Sequence, residues 1–219
     1  MSDSEFSEDF WIDWFLGAKG NEYFCDIDPE FILDRFNLTG LETEIPRIRP
    51  VVDIITDKFK QECSDAEREN LERLAWRLYG LVHARYILTP RGLQKMNEKF
   101  RNYDFGKCPR YNCKNYPLLP IGLHDIPAQS TVKLYCAKCE DLYVPKSSRH
   151  AAIDGAYFGS SFPGMLLQAY PNEVERSREK YLLKIFGFKL HDRAELARIQ
   201  EKYNQEAEKE FKRLEKEGL

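Results

Sequence analysis

The sequence lacks both the long apolar run of a membrane-spanning segment and the leader of a secreted protein. No stretch of about 18 consecutive apolar residues is available to span a bilayer, and the N-terminal residues do not form a basic segment followed by an apolar one. The net charge is also small, at −3 over 219 residues, so no overall field favours nucleic acid or a membrane surface. From these absences we expect a soluble, intracellular protein that does not bind membranes.

A recognisable catalytic constellation is also absent. The triplet Asp104-Phe105-Gly106 spells the metal-binding motif of protein kinases, but the glycine-rich loop, strand lysine and catalytic loop that accompany it in kinases are missing. We therefore interpret the triplet as a turn, and we interpret His83 as a packed or capping residue. We predict that the protein is not an enzyme. An enzyme with an unrecognised site would require a pocket of convergent polar groups with perturbed pKa values.

The first hundred residues show helical patterns. Aromatic residues recur at three- and four-residue spacing between Phe10 and Phe15, Ser64 and Glu67 form a capping box, and Thr89-Pro90 is a typical helix start. One apolar face follows the capping box. Its members are Leu71, Leu74, Ala75, Leu78, Leu81, Val82 and Tyr86.

From residue 108 to about residue 164 the pattern changes to short β-like runs between prolines, such as 131–135 and 142–144. A charged terminal helix is predicted to start at Asp192, with a narrow apolar stripe. The predicted fold class is therefore α+β: an α-helical N-terminal domain at 1–104, a small zinc-ribbon β domain at 105–165, and a C-terminal segment with the terminal helix at 166–219.

Four of the six cysteines lie within 32 residues, in two short knuckles separated by 22 residues. Two knuckles of two thiolates each can surround one tetrahedral zinc ion, and four thiolates leave no open coordination position for catalysis. We predict one structural Zn2+ per chain, with two disulfides or four unrelated thiols as the alternatives. The predicted ligands are Cys108, Cys113, Cys136 and Cys139.

The predicted zinc module is only mildly basic. Between Arg101 and His150 there are eight Lys or Arg residues against four Asp or Glu residues. This excess of basic residues is smaller than that of a typical nucleic-acid-binding surface. We therefore expect the module to contact protein, and we consider nucleic acid an unlikely partner. A zinc-ribbon nucleic-acid-binding or adaptor protein remains the alternative interpretation.

Several longer motifs are spread over nearly the whole chain. They are 14–25 (WFLGAKGNEYFC), 34–40 (DRFNLTG), 78–89 (LYGLVHARYILT), 104–113 (DFGKCPRYNC), 119–127 (LPIGLHDIP), 132–139 (VKLYCAKC), 143–150 (YVPKSSRH), 154–159 (DGAYFG) and 186–191 (FGFKLH). These motifs closely resemble the regulatory beta subunits of casein kinase 2, and the similarity extends from about residue 11 to residue 191.

The resemblance implies a non-catalytic regulatory subunit of a Ser/Thr protein kinase. It implies a homodimer formed through the zinc modules, which recruits two catalytic alpha subunits into a tetramer and modulates kinase stability and substrate choice. It further implies contacts with kinase substrates and regulators, and a location in the cytoplasm and the nucleus.

The resemblance also assigns site residues beyond the four cysteines. It places the contact with the catalytic subunit in the C-terminal segment, and it implies phosphorylation of the acidic N-terminus at Ser2 and Ser4. The alternatives are that the aromatic residues belong to the core and that the N-terminus is simply a disordered acidic tail. The predicted contact residues are Met165, Ile185, Phe186, Phe188 and His191.

Overall fold

The structure is a computed structural model and describes residues 10–174, 184–189, 191 and 195–217. These residues belong to two compact units. The first unit contains the described residues up to 174, and the second contains the described residues from 184 onward. The predicted α+β class is confirmed, since helices and small antiparallel sheets are both present. Among the described helices, none combines the length and apolarity that crossing a bilayer requires.

The N-terminal part of the first unit is helical. Its five α-helices are α1 (Trp11–Gly17), α2 (Pro29–Leu33), α3 (Ile48–Ile55), α4 (Asp65–Tyr86) and α5 (Pro90–Arg101). Single 3-10 turns at Arg35–Leu38 and Leu41–Thr43 connect α2 to α3.

Both predicted helix starts are confirmed by the capping contacts. The Ser64 side chain accepts a hydrogen bond from the backbone N–H of Glu67 at 3.3 Å, at the N-terminus of α4. The Thr89 hydroxyl accepts one from the backbone N–H of Gly92 at 3.1 Å, at the N-terminus of α5. Each cap satisfies a backbone donor that has no partner within its own helix.

The apolar face of α4 lies at the centre of the core. Of its predicted members, Leu74 is half-buried and the others are buried. Helix α3 packs against α4, and its Val51, Ile54 and Ile55 are buried. Helix α4 therefore forms the framework on which the rest of the first unit is arranged.

A three-stranded antiparallel sheet follows the helices. Its strands, in spatial order, are β1 (Leu119–Ile121), β2 (Lys133–Cys136) and β3 (Asp141–Tyr143). Two further helices complete the first unit, α6 (Ser148–Ala151) and α7 (Phe162–Ala169). One cluster of buried apolar residues includes members from both the helices and this sheet. The division at residue 104 stays a prediction.

The second unit contains a hairpin and a long helix. Strands β4 (Lys184–Ile185) and β5 (Phe188–Lys189) pair antiparallel, and α8 spans Glu195–Glu217. The predicted terminal helix is therefore present, although its predicted cap, Asp192, lies outside the described residues. Ile199 and Tyr203, which belong to the predicted apolar stripe of this helix, are exposed.

Candidate metal centre and contact surfaces

Local backbone structure brings the four predicted ligands together. Cys108 and Cys113 flank one tight turn, in which the backbone N–H of Cys113 donates to the carbonyl of Arg110 at 3.0 Å. Cys136 ends β2, and Cys139 lies in the turn that leads to β3. Each knuckle therefore holds two thiols at a chain reversal, as the spacing predicted.

The sulfur positions match a tetrahedral metal site. All four sulfur atoms lie within 4.8 Å of one another. The Cys108 and Cys139 sulfurs are 3.9 Å apart, and the Cys113 and Cys136 sulfurs are 4.0 Å apart. Zinc–sulfur bonds of about 2.3 Å in a tetrahedron place the sulfurs about 3.8 Å from each other. Disulfide sulfurs are bonded at about 2.05 Å, and these cysteines form no disulfide.

The surroundings of the cluster differ from one thiol to the next. Burial and, to a smaller extent, the neighbouring thiols of Cys108 and Cys139 together raise the pKa of Cys113 to about 12. Burial also acts to raise the pKa of Cys139, but hydrogen bonds from Tyr143 and Arg110 help to outweigh it, and that pKa lies below its usual value. Four thiolates packed this closely repel one another, so their ionisation requires a cation at the centre.

The outer face of this cysteine module carries exposed apolar side chains. Strand β3 is an edge of the sheet, and its Leu142 is 43% exposed. Val144, just after the strand, is 63% exposed, and Tyr111 in the first knuckle is 83% exposed. An edge strand beside apolar side chains is a typical protein-contact surface.

The β4–β5 hairpin presents the predicted aromatic residues at its tip. Phe186 is 97% exposed, Phe188 is 80% exposed and Ile185 is 52% exposed. Phe186 and Gly187 both have a positive φ, of 49° and 85°, which is typical of the two central residues of a tight hairpin turn. The hairpin therefore displays these rings.

The remaining predicted residues are placed as follows. Met165 lies in α7 of the first unit and is 41% exposed, and His191 is exposed in the second unit. Ser2 and Ser4 lie outside the described residues. The kinase-like triplet forms a turn, as interpreted from the sequence, with Phe105 buried and Gly106 at a φ of 96°.

His83, the one fully buried histidine, is hydrogen-bonded within the protein interior. Its Nδ1 lies 2.8 Å from the carbonyl oxygen of Tyr157, and its Nε2 accepts the backbone N–H of Cys25 at 3.2 Å. Burial lowers the pKa of His83 to about 4. A neutral imidazole with both nitrogens engaged is typical of a packed residue, which agrees with the sequence interpretation.

Known proteins are similar to this chain over most of its length. The model of the family described as "Casein kinase II regulatory subunit" matches residues 10–189. "Casein kinase II subunit beta-2" of Neurospora crassa is 54% identical over 218 residues, which cover 99% of this chain and 76% of that protein. "Casein kinase II subunit beta'" of Saccharomyces cerevisiae is 55% identical, covering 91% and 80%. "Casein kinase II subunit beta" of Schizosaccharomyces pombe is 52% identical, covering 97% and 91%.

Proposed function

Because this chain belongs to the family of casein kinase II regulatory subunits, we propose that it binds and regulates the catalytic subunit of that kinase without catalysing a reaction itself. The exposed aromatic tip of the β4–β5 hairpin is the observation that carries this proposal. An exposed aromatic side chain that becomes buried in an interface contributes substantially to affinity. Aromatic residues therefore often dominate the energetics of protein interfaces.

The cysteine module would hold one structural zinc ion. The ligands would be Cys108, Cys113, Cys136 and Cys139, whose sulfur spacing and lack of disulfides support this assignment. The all-thiol donor set favours zinc over magnesium or calcium, which prefer oxygen ligands. The ion would hold the two knuckles together and keep β2 and β3 in place.

Two copies of the chain would pair through this module, so that the holoenzyme contains two regulatory and two catalytic subunits. The apolar side chains at the β3 edge support the pairing, because a monomer would leave them in water. Val144→Asp should shift the chain toward monomer in analytical ultracentrifugation. Leu33→Asp, which changes a leucine of the helical part that is 42% exposed, is the control.

Contact with the catalytic subunit would be made by Ile185, Phe186, Phe188 and His191, with a contribution from Met165. Calorimetric titration of the catalytic subunit with wild type and Phe188→Ala tests this contact. The control is Phe36→Ala, because Phe36 is 82% exposed and Phe188 is 80% exposed. We expect Phe188→Ala to weaken binding by at least about tenfold, the usual loss at a central aromatic contact, and Phe36→Ala to have no effect. Equal affinities for all three proteins would contradict the assignment.

Three further properties are proposed with this function. Ser2 and Ser4, each followed by acidic residues, would be phosphorylated by the holoenzyme, and intact-mass spectrometry after incubation with ATP checks this. The chain would also contact substrates and regulators of the kinase. It would reside in the cytoplasm and the nucleus, as fluorescence microscopy of the tagged chain would test.

A further inference from the structure

Helix α7 carries Met165, one of the proposed contacts with the catalytic subunit, on its outer face. Gly164, Met165 and Gln168 are exposed, whereas Phe162 and Leu166 on the opposite face are fully buried. The helix is only eight residues long, and a helix this short is marginal without support from the rest of the fold. The position of Met165 therefore depends on the contacts that hold α7 in place.

The loop that follows β1 anchors the N-terminal end of α7. The Asp125 carboxylate accepts the backbone N–H of Ser160 at 2.7 Å and the Ser160 hydroxyl at 3.1 Å. In the same loop, the backbone N–H of Gly122 donates to the carbonyl of Gly159 at 3.0 Å. Ser161, the residue that precedes the helix, makes no capping hydrogen bond through its own side chain. A carboxylate from a distant segment therefore holds this end of the helix, where negative charge is favourable.

A second anchor holds the chain just after α7, at the 3-10 turn Pro171–Glu173. The Tyr116 hydroxyl donates a hydrogen bond to the carbonyl of Glu173, and Nε of Arg101 donates to the Glu173 carboxylate at 2.7 Å. Arg101 ends α5, and Tyr116 follows the first cysteine knuckle, where its backbone N–H donates to the carbonyl of Cys113 at 3.1 Å. Segments outside α7 therefore hold it at both ends.

The two anchors are polar contacts near the surface, separate from the apolar packing that keeps α7 on the core. Asp125, Ser160 and Arg101 are exposed, and exposed polar pairs contribute little to global stability. Phe162 and Leu166 supply the apolar packing of the helix. Loss of the anchors should therefore leave the fold intact and change only how firmly the ends of α7 are held.

We propose that Asp125, Tyr116 and Arg101 are positioning residues for binding of the catalytic subunit, an inference that rests on the function proposed above. By fixing both ends of α7, they hold Met165 in the place where it enters the interface. A contact residue that is already ordered favours binding, because the conformational entropy of its segment is lost on folding and not on association. The three residues act through Met165 and do not touch the partner.

The anchor variant Asp125→Ala/Tyr116→Phe/Arg101→Gln tests this role in the full chain, by calorimetric titration of the catalytic subunit. We expect it to weaken binding by at least about fivefold, the loss of one contributing interface contact. Met165→Ala should weaken binding of the wild type by about fivefold but binding of the anchor variant by less than about twofold, because Met165 is no longer held in place. Phe188→Ala should keep its full effect in both backgrounds.

The matched control variant is Asp34→Ala/Tyr79→Phe/Arg47→Gln. It removes an exposed carboxylate that caps a turn, a tyrosine hydroxyl bonded to a backbone carbonyl, and a guanidinium in an exposed ion pair, all outside α7 and its anchors. We expect wild-type affinity for the control variant and a full effect of Met165→Ala in it. Analytical ultracentrifugation should show the same oligomeric state for wild type and both variants.

Hydrogen exchange of the free chain, followed by NMR, tests the anchors without the partner. The backbone N–H of Met165 donates to the carbonyl of Ser161 at 3.0 Å, and that of Tyr170 donates to the carbonyl of Leu166 at 2.9 Å. Both amides should exchange at least about tenfold faster in the anchor variant, because local opening becomes easier, and at the wild-type rate in the control variant. Asparagine instead of alanine at Asp125 keeps an oxygen for the Ser160 N–H and should restore part of the protection and of the affinity.

Three results would each overturn the proposal. They are wild-type affinity of the anchor variant, unchanged exchange of the α7 amides, and an equal effect of Met165→Ala in the wild-type and anchor-variant backgrounds. Failure of the wild type to bind the catalytic subunit would contradict the proposed function instead. The exchange rates would then still decide whether the anchors hold α7.

Discussion

The Nδ1 atom of His83 lies 2.8 Å from the carbonyl oxygen of Tyr157 and connects the last turn of α4 to the Gly155–Tyr157 turn. Its Nε2 atom accepts the backbone N–H of Cys25, so the neutral tautomer with hydrogen on Nδ1 satisfies both contacts. The imidazole thus joins three segments that are far apart in sequence, and protonation of Nε2 would break one of these contacts.

The buried His83 predicts a pH dependence of stability. Its pKa is about 4 in the folded protein, against an ordinary value of 6.5. Between these values the unfolded chain binds more protons than the folded chain, so the free energy of unfolding falls as pH decreases from about 6.5 to about 4. The shift corresponds to at most roughly 3 kcal/mol. Urea unfolding across this range should show a shallower pH slope for His83→Gln than for wild type.

The control for this pH prediction is His124→Gln, which changes an exposed histidine. Its slope should match wild type, which would assign the pH effect to the buried His83. If His83→Gln keeps the wild-type slope, the stabilising role of the neutral imidazole is wrong.

A glycine in α4 allows the Tyr157 ring to approach the helix. A Cβ atom added at Gly80 would lie 2.5 Å from two atoms of that ring. Helix propensity favours alanine by about 1 kcal/mol, but an overpacked core contact costs about 1 to 3 kcal/mol, so we expect Gly80→Ala to destabilise the protein. Gly164→Ala, in α7 with no atom within 4 Å of the new Cβ, should be neutral or stabilising. Chemical denaturation measures both, and a stabilised Gly80→Ala would contradict this packing.

Metal removal tests whether the ion in the cysteine module stabilises the folded protein. We expect about one zinc per chain by elemental mass spectrometry and a lower unfolding midpoint after chelation, because metal binding contributes to folding free energy. Cys136→Ser should lose the metal, since Cys136 is fully buried among the other sulfurs. Cys63→Ser, which changes a thiol outside the cluster, should keep it. A chain that unfolds identically with and without chelator would contradict the structural role of the metal.

Phe186 at the hairpin tip combines an unfavourable backbone conformation with an exposed ring. Phe186 has a φ of 49°, a region that asparagine tolerates better than phenylalanine. Phe186→Asn should therefore relax the turn while removing the exposed ring. We expect weaker binding to the catalytic subunit by calorimetry, together with a hairpin at least as populated by NMR chemical shifts. Unchanged affinity would mean that the ring at this position does not contribute to the contact.

The sequence predicted those features that depend on neighbouring residues. The caps at Ser64 and Thr89 follow from local hydrogen bonding, and the four-cysteine cluster follows from the spacing of two knuckles. The pairing of His83 with Tyr157 and the gap that Gly80 leaves for the Tyr157 ring were not predicted, because both join positions more than 70 residues apart.

Light scattering coupled to size exclusion, on the chain mixed with the catalytic subunit of casein kinase II, tests the central claim most directly. We expect one complex with the mass of two copies of each subunit. With Phe188→Ala, we expect a regulatory dimer that elutes apart from the catalytic subunit. A wild-type chain that elutes separately from the catalytic subunit at micromolar concentration would contradict the proposed regulatory function.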